Sequence, residues 1–174
     1  MRKLSKFGEW AIERHRETNH YYDKYLPYEF HLNLVRQQVE EYKDLCDIDL
    51  DLAFDGAAGH DLIEDARVNY NQIIQVSGSV DLAELILSVT NMRGRNPSER
   101  ANAEYYEGVR KTPGARFLKL CDRLANLKYG ILTKSSMVRK YAKEYPKFKE
   151  ELYDQRFDRM FKDMERIFEE SSKQ

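Results

Sequence analysis

The sequence predicts an all-α fold. Apolar residues recur at a spacing near 3.6 through most of the 174 residues, and few windows show the strict alternation of a strand. No Ser- or Pro-rich tract divides the chain, which has only four prolines and eight glycines, and no internal repeat marks a solenoid. A chain of this length buries roughly 70% of the surface its unfolded form exposes, enough for one core. We therefore expect a single domain over residues 1–174.

A first helix is expected over about Leu4 to Thr18. A second follows Pro27, with Phe30, Leu32, Leu34, Val35 and Val39 on it and the proline in its first turn, where a missing N–H costs nothing. Leu50 to Asp65 reads as a buried helix whose small centre, Ala53-Phe54-Asp55-Gly56-Ala57-Ala58-Gly59, lets neighbouring backbones approach closely. Asn69 to Val76 is a short helix stopped by Ser77-Gly78, and Val80 to Thr90 another that stops near Gly94. Asn96-Pro97 starts a helix over Ser98 to Arg110, and Thr112-Pro113 starts one that runs to Tyr129. The remainder forms a helical extension over about 135–170. From Pro146 to Phe168 it is one amphipathic helix or a broken pair, carrying Phe148, Leu152, Phe157, Met160, Phe161, Met164 and Phe168 among many charges.

Composition narrows the function. Apolar residues are 41% and charged residues 34%, which is an ordinary core under a solvated exterior. The 29 Lys and Arg nearly cancel the 30 Asp and Glu, so no uniform field draws in nucleic acid. Cys46 and Cys121 are too few for a disulfide framework and too far apart for a zinc ribbon, as expected of a reduced intracellular setting. Phe7-Gly8-Glu9-Trp10 does not supply the apolar run of a secretory signal, and no stretch approaches the roughly 20 apolar residues of a membrane span. A cytoplasmic protein without membrane contact is expected.

The chemistry gathers in three segments. In Gly59-His60-Asp61-Leu62-Ile63-Glu64-Asp65, a continuous helix sets His60 beside Glu64 and Asp61 beside Asp65, four residues apart in each case. An imidazole next to a carboxylate offers two adjacent ligands to a divalent cation of intermediate hardness, and carboxylates one turn on can reach a water. A His-Asp dipeptide by itself is more often a solvated acidic helix end, since such pairs are common by chance. His31, on an apolar face with Phe30, Leu34 and Val35, is by itself a core histidine. Asp122 and Asn126 lie one turn apart on the strongly apolar helix Phe117 to Leu127, and a buried carboxylate there needs either Arg123 or a metal as partner.

Taken together these segments resemble a known family. His31, then His60-Asp61, then the distant Asp122 follow the signature of the HD superfamily of metal-dependent phosphohydrolases, which implies a helical bundle of HD type. More narrowly, Pro27-Tyr28-x-x-His31, His60-Asp61-x-x-Glu64-Asp65 and Lys119-Leu120-x-Asp122-Arg123-x-x-Asn126-Leu127 resemble the hydrolase domain of the RelA/SpoT group. The likeness is greatest to its small stand-alone alarmone hydrolases, which include the animal Mesh-type enzymes. It covers roughly residues 10–130, including Thr112-Pro113-Gly114-Ala115 ahead of the last motif.

The resemblance implies that His31, His60, Asp61 and Asp122 bind one divalent metal, manganese in the first instance. It implies that Glu64 and Asp65 orient and deprotonate the attacking water, and that Asn126 helps hold the nucleotide. The implied reaction removes pyrophosphate from the 3′ position of guanosine tetra- or pentaphosphate, returning GDP or GTP. Two departures bear on the substrate. A basic pair upstream of the Pro-Tyr motif is replaced by His20-Tyr21, and an acidic stretch after Val89-Thr90 by Asn91-Met92-Arg93-Gly94-Arg95.

Arg93, Arg95, Arg100, Arg116 and Lys119 offer positive charge to a polyphosphate, with Arg116 and Lys119 preferred because they lie on the motif helix. Tyr105 and Tyr106 offer faces for a base, Tyr106 being the choice for substrate contact, although aromatic residues on helices usually belong to a core. Cys121 reads as packing, with no base arranged to activate it. Two alternatives stand beside the alarmone reading: an HD phosphohydrolase for another nucleotide, and a non-catalytic module that binds a nucleotide or a protein. The amphipathic tail either packs on the domain or pairs with a second copy.

Overall fold

The computed structural model describes residues 2–92 and 94–173, with 97 and 98 described by their backbone alone. The helix α1 (Lys6–Glu17) starts where the Ser5 side chain accepts from the Gly8 N–H at 2.9 Å. A two-residue ribbon follows, β1 (Tyr21–Tyr22) antiparallel to β2 (Leu26–Pro27), with Tyr21 opposite Pro27 and Tyr22 opposite Leu26. The sequence gives no alternation to mark so short a pair. Pro27 therefore lies in the ribbon rather than in the first turn of α2 (Glu29–Glu41), which Tyr28 precedes.

The expected helix over Leu50 to Asp65 is two helices, α3 (Leu50–Gly59) and α4 (Leu62–Asp65), interrupted at His60-Asp61. Asp49 caps α3 by accepting from the Asp51 and Leu52 N–H groups. As the small residues suggested, Gly59 permits a close approach. A Cβ there would sit 2.8 Å from Ile86 Cδ1 and 2.9 Å from Phe7 Cε1.

Next come α5 (Tyr70–Ser77), with a capping box between Asn69 and Gln72 and Gly78 in the left-handed region at its end, and α6 (Val80–Val89), capped by Ser79. The helix expected over Ser98 to Arg110 is likewise two: α7 (Pro97–Arg100) and α8 (Ala103–Lys111). Asn102 separates them because its side chain accepts from the Tyr105 N–H at 3.0 Å and starts a new helix.

The helix α9 (Ala115–Leu132) is the centre of the molecule, packed against α2, α3, α6, α8, α10 and α11. Phe117, Leu118, Leu120, Cys121, Leu124, Ala125 and Leu127 are all buried on it, covering about half of its circumference. Each large apolar side chain buried this way contributes about 1.5–3 kcal/mol. Gly114, before α9, has φ +77°, and a Cβ there would run into Ile48. Gly114→Ala is expected to destabilise the fold by about 2–4 kcal/mol, adding left-handed strain to overpacking. A urea transition with an unchanged midpoint would contradict this.

The tail forms α10 (Ser136–Leu152) and α11 (Asp158–Ser172), joined through a 3-10 turn at Gln155–Phe157. The first of the pair thus starts ten residues before Pro146, at the Ser135 cap, and Pro146 lies inside α10 on its exposed side. Met160, Phe161, Met164 and Ile167 of α11 are buried against the rest of the chain, so this apolar face packs on its own domain. No described helix is long and apolar enough to cross a membrane.

Candidate functional site

His31 comes from the first turn of α2, His60 and Asp61 from the break between α3 and α4, and Asp122 from the middle of α9. The break follows from His60 itself. Its ring Nδ1 lies 3.0 Å from the Ala57 carbonyl at the end of α3, which turns Nε2 toward the other three groups. Asp61 then takes φ −102° and ψ 4°, and α4 restarts, its Asp65 N–H donating to the Asp61 carbonyl at 2.9 Å.

The four side chains meet at one point. His31 Nε2 lies 3.3 Å from His60 Nε2, 3.6 Å from Asp61 Oδ2 and 3.4 Å from Asp122 Oδ1. His60 Nε2 lies 2.8 Å from Asp61 Oδ2 and 3.9 Å from Asp122 Oδ1. The ligand atoms of His31, His60 and Asp122 all fall within 4.8 Å of one another, a grouping able to hold a metal ion. Two imidazole nitrogens and two carboxylates suit zinc, manganese or iron better than calcium.

The electrostatics reflect this crowding. Burial opposes a charge on His60, but Asp61 and Asp122 overcome it and raise its pKa to about 9. Burial also opposes charge on Asp61, yet His60 and His31 hold that carboxyl well below the usual range. Asp122 is held low against burial by Lys119 at 3.3 Å and by both histidines. Lys119 in turn is kept charged, despite its burial, by the Asp122, Asp61 and Glu64 carboxylates. Asp65 moves the other way, its pKa raised by burial and by the Asp61 carboxylate.

An aromatic wall fixes these groups. The Tyr28 hydroxyl donates to Asp61 Oδ2 at 2.5 Å, and burial beside that carboxylate keeps its proton in place. The Tyr28 ring stacks with His15 at 4.7 Å and with His20 at 4.2 Å, and those two imidazoles lie 6.5 Å from each other. Burial lowers the His15 pKa to about 4, so this member of the stack is neutral at pH 7. His20 Nδ1 lies 3.6 Å from Asp65 Oδ2. The ribbon lays Tyr22 over His31 at 4.8 Å, and the Tyr22 hydroxyl donates to Asn126 Oδ1 at 2.9 Å.

The cluster opens into a cleft of about 670 Å³, within the range of small-molecule sites. Of the residues singled out in the sequence, His31, Asp61, Glu64, Asp65, Arg100, Tyr105, Tyr106, Lys119, Asp122 and Asn126 line it, with His60 buried beneath. Glu64 is held by Asn91 Nδ2 at 2.9 Å. Asn126 gives both Nδ2 protons to Asp122, at 2.7 Å to Oδ1 and 3.1 Å to the carbonyl. Arg116 is not among the lining residues and instead pairs with Asp154 at 3.2 Å. Lys119, one turn on along the same face of α9, pairs instead with Asp122 at 3.3 Å. Arg93 lies outside the described residues, and Arg95 does not line the cleft.

Sequence reasoning placed Tyr28 in a motif but without a role, offered Arg123 as a partner for Asp122 where it pairs with Glu144 instead, and did not point to Tyr22 or to one whole side of α10: Lys140, Tyr141, Lys143, Glu144, Lys147 and Phe148. The available signal was the helical spacing of Lys140, Lys143 and Lys147.

The sequence matches no protein-family model and no curated protein. The structure is similar to that of a metazoan ortholog of SpoT that hydrolyzes ppGpp and plays a role in starvation responses. The TM-score is 0.74 over 98% of this chain and 97% of that one, at 20% identity. The described residues form the all-α helical bundle expected from the sequence, a fold shared with that protein over 98% of this chain.

Proposed function

We propose that this protein is a metal-dependent phosphohydrolase that removes pyrophosphate from the 3′ position of guanosine tetra- or pentaphosphate, yielding GDP or GTP. The observation that carries the reading is the convergence of His31, His60, Asp61 and Asp122 beneath a cleft whose rim holds Glu64 and Asp65. The fold shared with a metazoan ortholog of SpoT that hydrolyzes ppGpp supports it.

His31, His60, Asp61 and Asp122 would hold the divalent cation, manganese being our choice. The donor set fits, because His60 is oriented by the Ala57 carbonyl and both carboxylates are ionised. When bound, the cation supplies Lewis acidity and offsets charge developing on the phosphoryl oxygens. Asp65, with its raised pKa, takes a proton from the attacking water, and Glu64, fixed by Asn91, orients that water. The water oxygen bonds to the phosphorus nearest the ribose, the bond from that phosphorus to the 3′ oxygen breaks, and the 3′ oxygen leaves as a hydroxyl, its proton balancing the one Asp65 took from the water. Asn126 has spent its N–H groups on Asp122, so it steadies that ligand and retains only a lone pair for a ribose hydroxyl.

The direct test is pyrophosphate release from guanosine tetraphosphate by manganese-loaded protein. A well-folded, loaded sample that released none would overturn the substrate assignment, and a panel of other phosphorylated nucleotides run in parallel would identify a different one. His60 also sets a pH dependence. Its imidazolium stabilises the metal-free fold below about pH 6.5, a contribution lost as pH rises through about 9. A metal must displace that proton, so apparent manganese affinity is expected to rise about tenfold per pH unit across this window. A flat affinity profile by calorimetry would remove His60 from the ligand set.

A further inference from the structure

The cleft is unevenly charged. Its buried end carries Asp61 and Asp122, while its rim carries the Glu64 and Asp65 carboxylates and the exposed Arg100, Lys140, Lys143 and Lys147. The three lysines fall at i, i+3 and i+7 of α10, one side of the helix, and span about 10 Å along its axis. Two other cations of the cleft, Lys119 and Arg123, are engaged. Lys119 pairs with Asp122 at 3.3 Å, and Arg123 pairs with Glu144 at 3.3 Å while stacking on Tyr141 and Phe148. Among the described residues, Lys140, Lys143 and Lys147 have no ion-pair partner; Lys147 donates to the Ala101 carbonyl at 3.4 Å and lies over the Tyr106 ring at 5.6 Å. The one carboxylate on this side, Glu144, is the one Arg123 neutralises.

We propose that Lys140, Lys143 and Lys147 form a second phosphate subsite, which binds the phosphate chain of the substrate that is not cleaved. This rests on the reading that a phosphorylated nucleotide occupies the cleft. A nucleotide phosphorylated at two separate positions matches the layout: one group reaches the buried end, the other lies along α10, and Tyr106 and Tyr141 line the space with them. Flexible ammonium groups act as point charges without a fixed fork, so the subsite accepts a diphosphate or a triphosphate and discriminates by charge.

The test uses Lys140→Gln/Lys143→Gln, two exposed positions, with Lys140→Arg/Lys143→Arg as the charge-keeping companion. GDP is the probe for binding to full-length, metal-loaded protein by calorimetry. The Gln pair is expected to weaken GDP about tenfold and to flatten its salt dependence, and the Arg pair to restore both. Equal GDP affinity in wild type and the Gln pair would overturn the subsite. In turnover, the preference for guanosine tetraphosphate over guanosine 3′-diphosphate, measured as a ratio of kcat/KM, is expected to fall about tenfold in the Gln pair. An unchanged ratio also overturns it. If wild type cleaves neither compound, the catalytic reading fails by itself and GDP binding still decides the subsite.

Discussion

Asp122→Ala is expected to lower pyrophosphate release by about three orders of magnitude or more, and to abolish the stabilisation that manganese gives the wild-type protein. Asp122 meets His31 at 3.4 Å, His60 at 3.9 Å and Lys119 at 3.3 Å, and it accepts from Asn126 at 2.7 Å. Removing it costs the proposed site a ligand and leaves Lys119 as a largely buried cation without its nearest counter-charge. Breaking one side of such a pair costs about 3–5 kcal/mol, so a loss of fold must be told apart from a loss of chemistry. Asp122→Asn serves that purpose by keeping the shape and a carbonyl acceptor. Its metal content after dialysis and its melting temperature with and without manganese are the readouts. At a metal concentration one hundredfold above Kd, wild type gains about 2.7 kcal/mol, which the variant lacks. Activity within tenfold of wild type in a folded variant would exclude Asp122 from the site.

Asp65→Asn is expected to reduce kcat by about 10²- to 10⁴-fold, the span of general-base contributions, while metal content stays as in wild type. Burial and the Asp61 carboxylate raise the Asp65 pKa, and His20 at 3.6 Å works in the opposite direction. The base acts in its ionised form. Wild-type activity should therefore climb with pH as Asp65 loses its proton, along a limb above the ordinary carboxylate range. The residual activity of the variant should lack that limb. A variant that kept the limb would assign the proton transfer to a different group.

These effects fall on residues whose types were legible in the sequence but whose arrangement was not. His60, Asp61, Glu64 and Asp65 stand out as a short polar run, and a continuous helix through them is the natural reading. The chain instead breaks at His60, because the ring binds the Ala57 carbonyl and the cluster offers Asp61 partners that a straight helix would not. Tyr22 carries no local signal, and its role comes from a contact with Asn126 across 104 residues. Arg116 and Lys119 looked equivalent on one helix, and packing sent one to Asp154 and the other to Asp122.

What the sequence by itself determined was local: where helices begin, from signals such as Asn69 and Asn96-Pro97, which sides are apolar, and which residue types can ligate a metal or move a proton. Those features act within one or two helical turns, and so they are written in adjacent residues. Only the tertiary structure decided that α2, the α3–α4 break and α9 meet at one point, and that α10 turns three lysines toward it. Such meetings depend on how helices distant in sequence stack around α9, where packing over the whole core outweighs any local preference.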